Sequence, residues 1–430
     1  MKIFDMQNNF YVPGFFWIEL NTAKELNKIF LSEDEHIFFH EYIHFLQDTM
    51  LVYGYSNSSH LLNMIKAIYH KIKMKEQLND FELEVPFDFS TDLYRDINQK
   101  LFTVYLQYNN NPSNIFDNFY INKISRNVEN IEGFKVPTYT ICFNNDKSIM
   151  FGAHAIMECI AHILEKECYN INDNRIYLPY DLPLKIAEYN GLNFKDKAWL
   201  IDLCEYSLMF FNPSEVFMYL LQCIRDEEYI PVNSNEFYNY MKEHISVPDQ
   251  TIEEFYLHEK NELLANINGV FVSELYDGYK KWLNAIIENG YSFKKNNELF
   301  FSKLLSCDPN KFLYDSIVKM GMPPIFNQDG KMFIRNSDFD VDSGNFLSRA
   351  IYSVFQTLSY GKESCILKEA CLMTNEMRDK KININDNCDF EPWERIKIEN
   401  EELCPFCAVW QTFGLSKIRL VIRSRNGTLE

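Results

Sequence analysis

His40-Glu41-Tyr42-Ile43-His44 is the stretch on which the reading of this chain turns. Two histidines four residues apart project from one face of a helix, so both imidazoles can reach a single metal ion. Glu41 follows the first histidine directly. From there its carboxylate reaches a water on that ion rather than the ion itself, which is the geometry of a general base acting on metal-activated water. A helix face readily offers one histidine as a core group. A spaced pair with a glutamate beside the first is much harder to explain by packing, in a chain with only nine histidines.

The surroundings favour a buried helix for this motif. Ser32-Glu33-Asp34-Glu35 reads as a capping box that opens a helix running to about Leu51. Ile37, Phe38, Phe39, Ile43, Phe45 and Leu46 flank the histidines with apolar side chains. Upstream, residues 10–31 read as a strand pair built on the β-rich Phe15–Leu20. Downstream, a second helix is expected over Ser59–Leu78, with Leu61, Leu62, Ile65, Ile68 and Ile72 as its stripe. Residues 79–132 are rich in Asn and Asp and hold one helix around 91–107. Val136–Phe143 reads as a strand, Asn144–Lys147 as a hairpin turn and Ser148–Phe151 as the return strand. Gly152 then leads into a helix to about Cys168. From 180 to 320 the pattern is mostly helical, one helix opening at Asn212-Pro213-Ser214-Glu215. A hairpin is expected at 324–335 around Asp329-Gly330, and a helix at 345–359 precedes five cysteines.

On the motif helix the sequence resembles the zincin metallopeptidases. The metzincin extension requires Gly at 47 and His at 50, where this chain has Gln47 and Met50. What remains is a resemblance to the gluzincin branch, which implies a third ligand, a glutamate, from a later helix beside small residues. Glu158 fits: it lies in an otherwise apolar helical stretch with Ala155 and Ala161 on its flanks. A carboxylate there is costly unless paired or bound to metal. His154 and His162, each one turn away, are alternative ligands or partners at the same site, and Glu165 is a further candidate with less to favour it. Asp48, four residues after His44, is placed to accept the free imidazole N–H. Gln47, one further turn along from the ligand face, is a candidate either for support of a ligand histidine or for substrate contact. The resemblance also makes the hairpin 136–151 the edge along which an extended substrate would lie.

Composition bounds the rest. The chain has 430 residues, for which two or three domains or one large helical body are expected. There are 42 basic and 61 acidic residues, net −19, which disfavours nucleic acid as principal ligand. No apolar run is long enough to cross a membrane, and the N-terminus shows no signal core, so a cytoplasmic protein without a large propeptide is expected. In a reducing compartment the eleven cysteines default to buried packing. Cys404-Pro405-Phe406-Cys407 has the pair spacing of a zinc ribbon. Cys365, Cys371 and Cys388 lack the matching second pair, so a structural zinc at Cys404 and Cys407 is not expected. Asp338-Phe339-Asp340-Val341-Asp342 starts like a calcium loop but has Ser343 and Arg349 where Gly and Glu belong. His258-Glu259 lacks a second histidine and reads as a solvated helix face.

The expected fold is α+β and predominantly α-helical: a zincin-like catalytic region over 1–170 with a small sheet, a helical region over 171–345 closing the cleft, and a cysteine-containing region over 346–430. The expected function is a zinc-dependent peptidase with one catalytic Zn²⁺ on His40, His44 and Glu158, and Glu41 as general base. It would act on protein or peptide substrates with narrow specificity, under the control of a closed cleft or a regulatory protein partner. Two alternatives stand beside it. One is a non-peptidase zinc amidohydrolase. The other is a zincin-fold binding or regulatory protein, which an intact Glu41 argues against.

Overall fold

The computed structural model describes residues 10–22, 35–87, 93–107, 120–144, 147–171, 178–194, 196–327, 332–333, 341–361, 364–375, 382–397 and 403–422. Its centre is helix α1 (Glu35–Met50), in which every residue but His36 and Ile37 is buried. Apolar side chains on all faces make a helix that must be surrounded. Ser32, Glu33 and Asp34 of the expected capping box lie outside the described residues. Glu35, the first residue of α1, instead accepts from Tyr169 Oη at 2.9 Å.

At its other end α1 stops at Met50, and α2 (Val52–Gln77) begins after one extended residue, Leu51. The second helix therefore starts seven residues before the Ser59 expected from its stripe. Ser56, Asn57 and Ser58 are weak helix formers, but they are buried and packing overrides their propensity. Gly54 permits this corner: a Cβ there would lie 2.4 Å from Asp48 Cα. The last carbonyls of α1, left without helical partners, are taken by tyrosines. Tyr55 Oη donates to Thr49 O at 2.9 Å and Tyr256 Oη to Met50 O at 2.7 Å.

Around this pair the chain adds α3 (Leu93–Leu106), α4 (Ala153–Cys168), α5 (Leu182–Tyr189), α6 (Lys197–Ser207) and α7 (Pro213–Asp226). Next come α8 (Ser234–His244), α9 (Ile252–Val270), α10 (Asp277–Lys295) and α11 (Pro309–Met320). Helix α7 opens as its sequence signal indicates, with Asn212 as N-cap accepting from Glu215 N and proline in the first turn. The C-terminal part contains α12 (Val341–Tyr360), α13 (Lys368–Asn375), α14 (Asn387–Phe390) and α15 (Pro405–Thr412). The last three are short and not expected from sequence; α15 is capped by a cysteine, Cys404, rather than by a standard capping residue. His258 is exposed on α9, as a solvated face requires. Asp338, Phe339 and Asp340 lie outside the described residues.

Three small sheets accompany the helices among the described residues. β1 (Phe10–Val12) pairs with β2 (Trp17–Leu20), and β2 runs parallel to β7 (Ile325–Asn327), with Ile18 opposite Ile325. β7 forms the expected hairpin with β8 (Met332–Phe333), although its turn at Asp329-Gly330 lies outside the described residues. β3 (Glu82–Val85) runs parallel to β9 (Arg419–Ile422). β4 (Ile121–Ile131), β5 (Phe134–Phe143) and β6 (Ser148–Phe151) form an antiparallel meander. β3 and β4 fall in the Asn- and Asp-rich stretch that reads from sequence as one helix and loops. The side chains of β4 are mostly exposed, so it carries no clean alternation to announce it. The fold is α+β and predominantly helical. One hydrophobic core runs from Tyr11 to Ile418, and strands from residues 10–20 and 82–85 pair with strands beyond residue 320. No helix among the described residues is long and apolar enough to cross a membrane.

Candidate metal centre

Helix α4 packs along α1, and this contact assembles the site. α4 starts after Gly152, where a Cβ would meet the Gln107 side chain at 2.4 Å, so a larger residue would push the helix start away. Ala153, Ala155 and Ala161 are all buried on α4, and their small side chains permit close approach to the motif helix.

Glu158 is carried to the two histidines. Its Oε2 lies 3.2 Å from His40 Nε2 and 3.4 Å from His44 Nε2. The three donor atoms all lie within 4.8 Å of one another, and this is the one such group of three or more His, Cys, Asp or Glu donors among the described residues. His44 Nε2 is buried and meets the Glu158 carboxylate at ion-pair distance, without a well-formed hydrogen bond to it. A buried imidazole nitrogen left this way is costly in an apolar interior, and a cation on it removes the cost. Two imidazoles and one carboxylate form a donor set suited to catalytic zinc, which takes a fourth ligand beyond its three protein ones. The residues present fit such an ion.

The outer nitrogens of both histidines are held. His40 Nδ1 sits 2.9 Å from Glu165 Oε2, and His44 Nδ1 sits 2.8 Å from Gln47 Oε1. A carboxylate and an amide oxygen are acceptors, so each neutral imidazole carries its proton on Nδ1 and presents the Nε2 lone pair inward. Gln47 Nε2 in turn donates to Met157 O at 3.1 Å, one residue before Glu158. Gln47 thus ties His44 to the backbone of α4, the supporting role at a ligand histidine that is one of the two expected of it. Asp48 is placed differently. It does not accept from His44; its Oδ2 accepts from Tyr11 Oη at 3.0 Å and from Gly14 N at 3.2 Å. The side chain at i+3 of His44 reaches the ring, whereas Asp48 at i+4 faces the β1–β2 turn.

His154 lies on the far side of Glu158, its Nδ1 3.7 Å from Oε1. His162 is outside the donor group and packs on Tyr180, ring centroids 5.1 Å apart; Tyr180 also lies 6.0 Å from the His40 ring. Glu165, given little weight from sequence, is the partner of His40 and also lies 3.6 Å from His36 Nε2. Its position two helical turns beyond Glu158, with His36 one turn before His40, is the signal in the sequence that points to it. Tyr180 has none.

The charges of the site answer one another. Burial pulls the His40 and His44 pKa values down, but Glu158 pushes both up, with Glu165 adding at His40, so both end raised. Burial works against ionised Glu158, yet His44 and His40 hold its carboxyl well below the usual range. In the absence of a metal, protons supply the positive charge that Glu158 draws in, and a divalent ion competes for the same place. Glu41 is buried beside them, and desolvation raises its pKa despite the opposing pull of His40 and His44. No protein-family model, no curated protein and no solved structure matches this chain.

Proposed function

We propose that the chain is a metal-dependent amide hydrolase, in the first instance a zinc peptidase, with His40, His44 and Glu158 as ligands and Glu41 as general base. The observation that carries the reading is the convergence of Glu158 on the Nε2 atoms of the two motif histidines, with their Nδ1 atoms already engaged. A bound zinc ion supplies Lewis acidity, acidifying a water and polarising a carbonyl. Glu41 takes the proton of the attacking water and returns it to the leaving nitrogen. Glu165 and Gln47 hold the imidazoles in orientation. β6, an edge strand that runs through Gly152 into α4, offers backbone groups for pairing with an extended peptide. The cytoplasm is the compartment that fits a chain with eleven free cysteines.

The low exposure of the site favours one second reading. His40, Glu41 and His44 are each less than a tenth exposed, which suits a small amide substrate as well as a threaded peptide. The test is metal analysis together with cleavage of a peptide library and of small N-acyl amides, comparing wild type with Glu41→Gln. The substitution should leave the metal in place and lower turnover by about 10²–10⁴-fold, roughly 3–5 kcal/mol of barrier. Unchanged turnover in metal-loaded Glu41→Gln protein would sink the mechanism. Cleavage of small amides alone would favour the second reading.

A further inference from the structure

β4 lies at the edge of its sheet: β5 pairs with one side of it, and no strand among the described residues pairs with the other. It is 11 residues long, and Lys123 and Arg126 to Asn130 are exposed. The outer side of such a strand is a row of N–H and C=O groups open to further pairing. Which residues form that row follows from β5. Pro137, opposite Val128, has no N–H, and its carbonyl accepts from Asn212 Nδ2 at 2.8 Å. Phe143 N donates to Lys147 O at 2.9 Å, on the β6 side, whereas Asn144 N donates to Tyr120 O at 3.2 Å, on the β4 side. The odd-numbered residues of β5 therefore turn their backbone groups away from β4. Opposite residues of an antiparallel ladder exchange both bonds or neither. Ile124, Arg126 and Val128, opposite Ile141, Tyr139 and Pro137, thus aim theirs at the open edge.

We propose that this edge pairs with the same edge of a second copy of the chain, antiparallel about a two-fold axis at Arg126. The strand is complementary to itself in that register. Ile124 of one copy lies opposite Val128 of the other, and Arg126 opposite Arg126, so the outward residues exchange their backbone bonds. Val128, 51% exposed in the single chain, gains an apolar neighbour. Between those pairs the side chains come closest, and there Lys123 of each copy meets Glu129 of the other. Sliding the register by two residues sets Lys123 against Asn127 or Ile131 and loses both ion pairs. Like charges facing each other on the axis would repel. Each Arg126 is, however, already neutralised: its Nη2 and Nε donate to Glu215 at 2.8 Å and 3.3 Å. Lys123 and Arg126 balance Glu129 and Glu215, so this edge is neutral on a chain of net charge −19, and two copies can approach there. Pairing would join two three-stranded sheets into one and leave β6 free at each end.

The experiment is sedimentation velocity of the full chain from about 1 μM to about 100 μM, and it is independent of the His40–Glu158 site. Wild type should form a reversible dimer across that range. Lys123→Glu and Glu129→Lys each turn both ion pairs into like-charge contacts and should weaken the dimer by about tenfold or more. The two substitutions together restore opposite charges and should restore the dimer. An equimolar mixture of the two single variants should form the mixed dimer in preference to either self-dimer. Both side chains are exposed, so these changes leave the core alone. Val128→Pro removes an outward N–H without taking a bond from β5 and should abolish the dimer. Because proline can also disturb the strand, amide exchange is measured on wild type at low and high concentration. The Ile124, Arg126 and Val128 amides should gain protection as the dimer forms. A wild-type chain that stays monomeric, a dimer indifferent to the charge exchanges, or unchanged protection of those three amides would each overturn the proposal.

Discussion

Glu165 Oε2 lies 2.9 Å from His40 Nδ1, joining the second-last turn of α4 to the motif helix across 125 residues of chain. The bond fixes which nitrogen of His40 faces Glu158, and the equivalent bond from Gln47 does the same for His44. Removing such an acceptor typically costs about 10–100-fold in metal affinity. Glu165→Ala and Gln47→Leu should each weaken zinc binding by that order in chelator competition, while Glu165→Gln, which keeps an oxygen acceptor, should do less harm. Equal affinity in all three variants would show that the histidines are oriented by packing alone.

Loss of any proposed ligand should be more severe. His40→Ala, His44→Ala and Glu158→Ala should each abolish tight zinc binding at this site, and none should copy a wild-type thermal shift when zinc is added. A ligand present at about a thousand times its Kd stabilises the folded state by about 4 kcal/mol. A chelator should therefore lower the wild-type Tm by several degrees and leave the Glu158→Ala Tm at this site unmoved. Stoichiometric zinc at the site in Glu158→Ala protein would mean that His154 or another donor completes it.

Much of this arrangement is legible in residues 35–50 and 152–168, and the reasons are physical. Both helices carry strong local signals, and the carboxylate of Glu158 is conspicuous in an apolar stretch. The partners of the histidines are harder to read. Asp48 and Gln47 both follow His44 on the helix, and only the rotation of α1 against α4 and the β1–β2 turn decides that Gln47 takes the ring and Asp48 takes Tyr11 and Gly14. The parallel pairings of Ile18 with Ile325 and of Leu83 with Leu420 join strands too short and too far apart in sequence for any local pattern to announce them.

Close helix packing behind the site gives a stability test. A Cβ on Gly290 of α10 would lie 2.0 Å from Thr49 O and 2.7 Å from Thr49 C, at the last turn of α1. Both atoms are backbone and cannot swing aside. Gly290→Ala should destabilise by about 1–3 kcal/mol through overpacking, even though alanine favours a helix over glycine by about 1 kcal/mol. Gly269 on α9 is the control: its added Cβ meets only the Lys66 side-chain end at 3.6 Å, so Gly269→Ala should be neutral or stabilising. Urea unfolding of both variants checks the pair, and a Gly290→Ala chain as stable as Gly269→Ala would contradict the α1–α10 contact.

The buried carboxyl of Asp48 predicts a pH dependence in the metal-free protein. Burial raises its pKa from 3.8 to about 7, against the opposing hydrogen bonds from Gly14 N and Tyr11 Oη. Between those two values the folded chain holds a proton that the unfolded chain has released. The unfolded state then binds fewer protons, so stability must fall as pH rises through this window. The contribution is fully present below about pH 4 and lost above about pH 7, and it amounts to something on the order of 4 kcal/mol. Asp48→Asn removes the titration while keeping an oxygen acceptor for Tyr11 and Gly14. Near pH 4 the two proteins should be similarly stable. By pH 8 Asp48→Asn should be the more stable, by an amount that grows across the window and then levels. A difference that stays constant across that range would show that Asp48 is ionised in the folded protein throughout, held so by its two donors.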